Sequence, residues 1–137
     1  MKRIMALFAV LVVATIALAG CGGNDDTLVI SERFFAEEML DLVINHQQYL
    51  DRDVQFEGLF RHMEPADGRD RFMVMRYRMG CCDIEIIGLQ VLLDGAEPLE
   101  EEAWVEVRGT LILNDGALAL RVTSITELDE RGNWFIM

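Results

Sequence analysis

Between residues 53 and 126 the apolar side chains recur with a period of two, and that pattern constrains the fold more than any other feature. Val54, Phe56, Gly58 and Phe60 alternate with Gln55, Glu57 and Leu59. Met73, Met75, Tyr77 and Met79 share one parity and Arg76 and Arg78 the other. Ile87, Leu89 and Val91 alternate within 85–93, then Val105, Val107, Gly109 and Leu111 within 104–113, and Leu118, Leu120 and Val122 in the last run. Alternate side chains of a strand point to opposite faces, so the stretch predicts five strands. Turn chemistry separates them. Glu64 to Asp70 carries Pro65 and Gly68, Gly80 precedes a short break, and Asp94 to Glu102 is an acidic loop. Asn114-Asp115-Gly116 is a hairpin signal, built from residues that tolerate positive φ.

Five strands in a chain this size are best closed into a small barrel, which removes exposed edges. Gly58, Gly88 and Gly109 each fall inside a strand, where tight barrels need bends or bulges. Ahead of the strands, Thr27 to Ile30 is a short β-prone stretch. Ser31 is placed to cap a helix, with Glu32, Glu37 and Glu38 near its positive end. Phe35, Met39, Leu42 and Val43 recur at helical spacing, in a stripe that runs to about Tyr49. The expected architecture is mainly β, a small OB-like five-stranded barrel with one leading α-helix, occupying residues 28–137. An open sheet packed on that helix is the alternative.

The first twenty residues read differently. Met1-Lys2-Arg3 is a short positive segment, Ile4 to Leu18 is almost unbroken apolar sequence, and Leu18-Ala19-Gly20-Cys21 follows. The pattern is that of a secretory signal, too short and wrongly flanked for a transmembrane helix. Leu-Ala-Gly-Cys also resembles the bacterial lipobox, which implies diacylglyceryl modification of Cys21 and cleavage before it. The expected organisation is therefore a signal peptide over 1–20, a tether over 21–27 and one domain. Paired acyl chains, palmitate among them, hold a protein to a membrane where a single chain cannot. Without Lys2 and Arg3, 10 of the 12 basic residues face all 24 acidic ones, a net charge of −14. Such a charge argues against nucleic acid and against anionic lipid as partners of the domain surface, and it permits cationic ones.

Three cysteines are present, and lipid on Cys21 would leave Cys81 and Cys82 with each other or a ligand as partner. In an oxidising compartment this pair has three chemistries open to it. It can close a vicinal disulfide, whose small ring is strained and reducible. It can bind a soft metal such as Zn or Cu, with Asp83 and His62 as the candidate further ligands. It can act in thiol redox exchange. Neighbouring strand residues face opposite ways, so joint use of both thiols requires a turn or bulge, which Gly80 can supply. No Cys-x-x-Cys or His-x-x-x-His spacing is present, and His46 and His62 read as surface or capping residues. Met73, Met75 and Met79 read as core filling. Arg76 and Arg78 read as an anion patch or as partners of the acidic run Glu100-Glu101-Glu102. Neither a glycine-rich phosphate loop nor a nucleophile–base–acid pattern is legible, so the chain reads as a non-enzyme.

Several segments recur together in one family. Tyr49-Leu50-Asp51-Arg52-Asp53-Val54 leads into the first long strand, Arg76-Tyr77-Arg78-Met79-Gly80-Cys81-Cys82-Asp83 follows, and Gly88-Leu89 and Trp104-Val105-Glu106-Val107-Arg108-Gly109 come after. Over roughly residues 40–126 this order resembles the C-terminal domain of the YcgQ-like proteins, described as permease-partner subunits. Asp51 stands where that family has glycine, and a lipobox stands in place of the family's membrane helices. The resemblance implies a domain held on the outer face of a membrane beside a permease-like protein. The combined expectation is an exported lipoprotein acting as a non-enzymatic binding module in a cell-envelope permease system. It sits on the extracytoplasmic face of the cell membrane, or on the outer membrane of a diderm host. The alternatives are a metal-binding lipoprotein using Cys81 and Cys82, and a thiol-redox protein.

Overall fold

The computed structural model describes residues 26–64 and 67–137. The expected signal peptide, Cys21 and most of the tether lie outside them. The described chain is mainly β, with seven strands in one sheet and one α-helix. β1 is Leu28–Val29, α1 Phe35–Ile44, β2 Asp53–Met63, β3 Arg71–Met79, β4 Ile84–Leu92, β5 Trp104–Asn114, β6 Ala117–Glu127 and β7 Phe135–Ile136. A 3-10 turn, His46–Gln48, follows the helix.

The five long strands pair in the order β2-β5-β6-β4-β3, and β3 returns to β2. All neighbours in this circuit are antiparallel except β4 and β6. The circuit forms a partial ring rather than a clear barrel. β4 and β6 share only the register Gln90↔Ala119 to Leu92↔Arg121, and β2 meets β3 only from Leu59 to Met63. β2 reaches two partners because it turns at Gly58 and Leu59. Its first half runs along β5 to the pair Leu59↔Trp104, and its second half runs along β3 from Leu59↔Met75. A Cβ at Gly58 would lie 2.9 Å from the Met75 carbonyl oxygen, so glycine permits the close crossing. The β5–β6 ladder shifts register between Arg108 and Gly109, a bulge at a glycine that the strand pattern anticipated. Asp115 and Gly116, at φ 51° and 81°, make the tight turn joining β5 to β6.

The helix fills the ring's interior from one side. Phe35, Met39 and Leu42 are buried against Phe56, Val107, Leu111 and Leu120, and the Phe35 and Phe56 rings lie 6.1 Å apart. Ser31 closes the turn ahead of the helix and does not cap the helix itself, whose N-cap, Phe34, makes no side-chain capping bond. The Ser31 hydroxyl accepts from the Phe34 amide at 3.3 Å, and Glu38 reaches back to accept the Ser31 amide at 2.6 Å. The helix is shorter than its apolar stripe suggests, ending at Ile44, and Val43 is exposed. Asp51 takes φ 64°, a conformation an aspartate tolerates at modest cost.

One orientation differs from expectation. The alternation along β3 holds, but its facing is reversed at the centre of the strand. Phe72, Val74 and Arg76 share the side that meets the core, and Arg76 is 1% exposed. Of the three methionines expected to fill the core, Met75 is buried, Met73 half-buried and Met79 exposed.

Candidate functional site

Three places in the fold gather chemistry. The first is the hairpin between β3 and β4. Its register closes at Met79↔Ile84, and the Gly80 amide donates to the Asp83 carbonyl at 2.8 Å. Cys81 and Cys82 therefore occupy the tip of a turn, and not successive positions on a strand. Both are exposed free thiols, with their sulfurs 3.5 Å apart. Gly80 is the residue that fits here, because a Cβ would come 2.8 Å from Glu85 Oε1 and 2.9 Å from the Asp83 carbonyl. Glu85 is held by Arg78, whose Nε donates to it at 3.1 Å.

The four ligands considered for a metal are not brought together. His62 pairs with Phe72, seven residues along β3 from Met79, which places it about 24 Å from the tip at the usual strand rise. Its ring bonds Asp70 at 2.9 Å and stacks on Phe72. Asp83 stays beside the cysteines, but among the described residues no three His, Cys, Asp or Glu side chains are grouped to hold a metal ion. His46 donates from Nδ1 to the Val43 carbonyl at 3.1 Å, tying down the end of the helix. The acidic run finds a different arginine from those expected: Arg61 contacts Glu101 at 2.8 Å and Glu102 at 2.7 Å.

The second place is an apolar groove between α1 and the β3–β4 side of the ring. It consists of cavities of about 540 and 440 Å³ that share Val43 and Gly88. Leu40, Ile86 and Ile87 line the first, with the Arg78–Glu85 pair at its edge. Met63, Met73, Leu89 and Leu118 line the second, with Glu64, Arg71 and Gln90 as its polar groups. Gly88 sits where β4 crosses β3 so closely that a Cβ would strike the Val74 carbonyl oxygen and Met75 Cα.

The third is the surroundings of Arg76, which sequence reasoning missed. Its Nε donates to the Glu57 carbonyl at 3.0 Å and its Nη1 to the Asn133 carbonyl at 3.2 Å. The guanidinium lies over Phe35 at 4.4 Å and Trp104 at 4.9 Å. Burial lowers its pKa from the usual arginine value, while Glu32 and Glu57 act to raise it. The arginine ties β2, β3 and the β7 segment together, and β7 completes this with Tyr77↔Phe135. The signal available in the sequence was its shared parity with Phe72 and Val74.

This set of features can be compared with known families. The DUF1980 C-terminal domain matches residues 17–136, nearly the whole chain. The chain belongs to that family. No curated protein matches it. Within this DUF1980 C-terminal domain, the dithiol turn, the helix-side groove and the buried arginine all involve β3. Among the described residues no helix is long and apolar enough to cross a membrane.

Proposed function

We propose that the protein is an exported, lipid-anchored binding module that works without catalysis, and that its groove takes an extracytoplasmic segment of a permease-like integral membrane protein. The observation that carries this reading is the continuity of the two cavities through Val43 and Gly88. Together they offer an apolar channel with a few polar groups at its rim, the composition of a recognition site. Around it, Leu40, Val43, Ile44 and Ile86 leave apolar surface in solvent, Ile44 at 67% exposure. Contiguous exposed apolar surface of this kind marks interaction sites.

The tether supports the choice of occupant. With lipid on Cys21, the seven residues to Leu28 span at most about 24 Å. The domain is then confined to the layer next to the bilayer, where the accessible partners are membrane proteins and their exposed loops. The resemblance to YcgQ-like permease partners leads to the same class. The location is the extracytoplasmic face of the cell membrane, or the outer membrane in a diderm host.

The test is site-specific photo-crosslinking in membranes. A photoreactive residue at Leu40 or Ile86 is expected to capture the same membrane protein, whereas one at Ser124, exposed on β6, captures none. Adducts that are equally abundant from position 124, or none from 40 and 86, would sink the proposal.

A further inference from the structure

We infer that the Gly80–Asp83 hairpin tip is a bidentate thiolate half-site for a tetrahedral thiophilic cation such as Zn(II), with the ion's remaining positions supplied from outside the chain. The sulfur and Cα separations favour this over a disulfide. The sulfurs stand 3.5 Å apart across the turn. Two thiolates on one tetrahedral ion, at Zn–S of about 2.3 Å, have sulfurs about 3.8 Å apart, so chelation asks the turn for about 0.3 Å. A disulfide needs about 2.05 Å and Cα atoms normally 4.4–6.8 Å apart, against about 3.8 Å for consecutive residues. Closing the vicinal bond therefore moves the sulfurs about five times as far and strains the peptide between them. The turn, locked by the Gly80–Asp83 hydrogen bond, is shaped for the open pair.

Charge and access agree. Both cysteines are exposed at the end of a hairpin, so an ion can be approached from solvent by a second molecule. Asp83 and Glu85 flank the tip, and Arg78 is already paired with Glu85. The excess of acidic residues draws cations towards the surface. With two protein ligands instead of four, the ion is held and left open, as suits a site that a second copy, another protein or water completes. Binding releases one proton from each thiol, two per ion, and involves no oxidation.

The full-length chain in detergent, fully reduced, is titrated with Zn(II) alone and weighed by native mass spectrometry. A double Cys81→Ser/Cys82→Ser variant sets the baseline, so any contribution of Cys21 is subtracted. One ion per chain, or one ion per two chains with dimer formation, supports the half-site; the second result identifies another copy as the completing partner. Each single serine variant should weaken binding on the order of 100-fold or more, since loss of even an outer-shell partner costs about 10–100-fold. A single variant that binds like the unsubstituted protein overturns bidentate chelation, as does binding no tighter than the double variant. Phenylarsine oxide gives an independent reading of the geometry: one arsenical bridging both sulfurs in the parent chain and none in either single variant. Spontaneous conversion by oxidised glutathione to an internal disulfide that reduced glutathione does not reopen would overturn the distance argument.

Discussion

Replacing Arg76 by methionine keeps most of the side chain's volume and removes its charge and its five donors. Two carbonyls, those of Glu57 and Asn133, then lose charge-assisted hydrogen bonds of 3.0 and 3.2 Å. Such bonds contribute about 1.5–3 kcal/mol each, and the desolvated cation over Phe35 and Trp104 adds about 2 kcal/mol. Methionine recovers part of the ring contact, about 0.3–1.5 kcal/mol. Against these losses stands the cost of burying the cation, several kcal/mol, which the variant no longer bears. Glu32, 3.9 Å from Nη1, has its side chain 60% exposed, so its charge rehydrates instead of being stranded. The net expectation is a destabilisation of about 1–3 kcal/mol for Arg76→Met, rising to about 3–5 kcal/mol for Arg76→Ala, which also leaves a cavity. Urea unfolding followed by tryptophan fluorescence measures both, because Trp104 is against the guanidinium. Hydrogen exchange then locates the loss. The Tyr77 amide, which donates to the Trp134 carbonyl at 2.9 Å, should lose protection in both variants as the β7 segment is released. An Arg76→Met protein as stable as the parent, with Tyr77 still protected, would show that desolvation cancels the bonds and that the arginine does not hold β7.

Two further outcomes follow from the geometry. Gly88→Ala should cost about 3 kcal/mol, the upper end of overpacking, because the new Cβ meets backbone of β3 and not a flexible side chain; Gly116→Ala, with open space around it but φ 81°, should cost only about 1–2 kcal/mol, and urea midpoints compare the two. Tyr49 donates to Asp41, which depresses the Asp41 pKa below 3.8 and raises that of Tyr49 above 10.0. A depressed carboxylate contributes stability that is present above pH 3.8 and lost as pH falls through the folded value. A raised phenol contributes stability that is full below pH 10.0 and lost as pH rises through its folded value. Tyr49→Phe should therefore flatten both the acid and the alkaline arms of a melting temperature–pH profile; an unchanged profile would refute the coupling.

Much of the fold was legible because it is written locally. The five long strands, the Asn114–Gly116 turn and the bulge at Gly109 each depend on residues a few positions apart. Asp51 illustrates the limit of pattern matching: it takes φ 64°, a left-handed conformation that no residue pattern around it signals. The site was less legible. Cys81 and Cys82 were identifiable as a pair, but their separation depended on a turn whose closing bond joins Gly80 and Asp83. His62, a candidate ligand by residue type, lies on β2 opposite the far end of β3. The groove had no local signature, since Val43 and Leu118 meet only when α1 and β6 are brought to the same side of the ring.

The sequence by itself determined which residues of each strand share a face, because side-chain alternation is a property of the extended backbone. It also determined the excess of acid over base. Only the tertiary structure decided which face of β3 is inside. Alternation is symmetric under that exchange, and the partial ring, closing through β2 and β4, breaks the symmetry by turning Val74 and Arg76 inward. With Arg76 inside, the chain acquires its buried cation from pairings far apart in sequence, whereas its dithiol tip is closed by residues only a few positions apart.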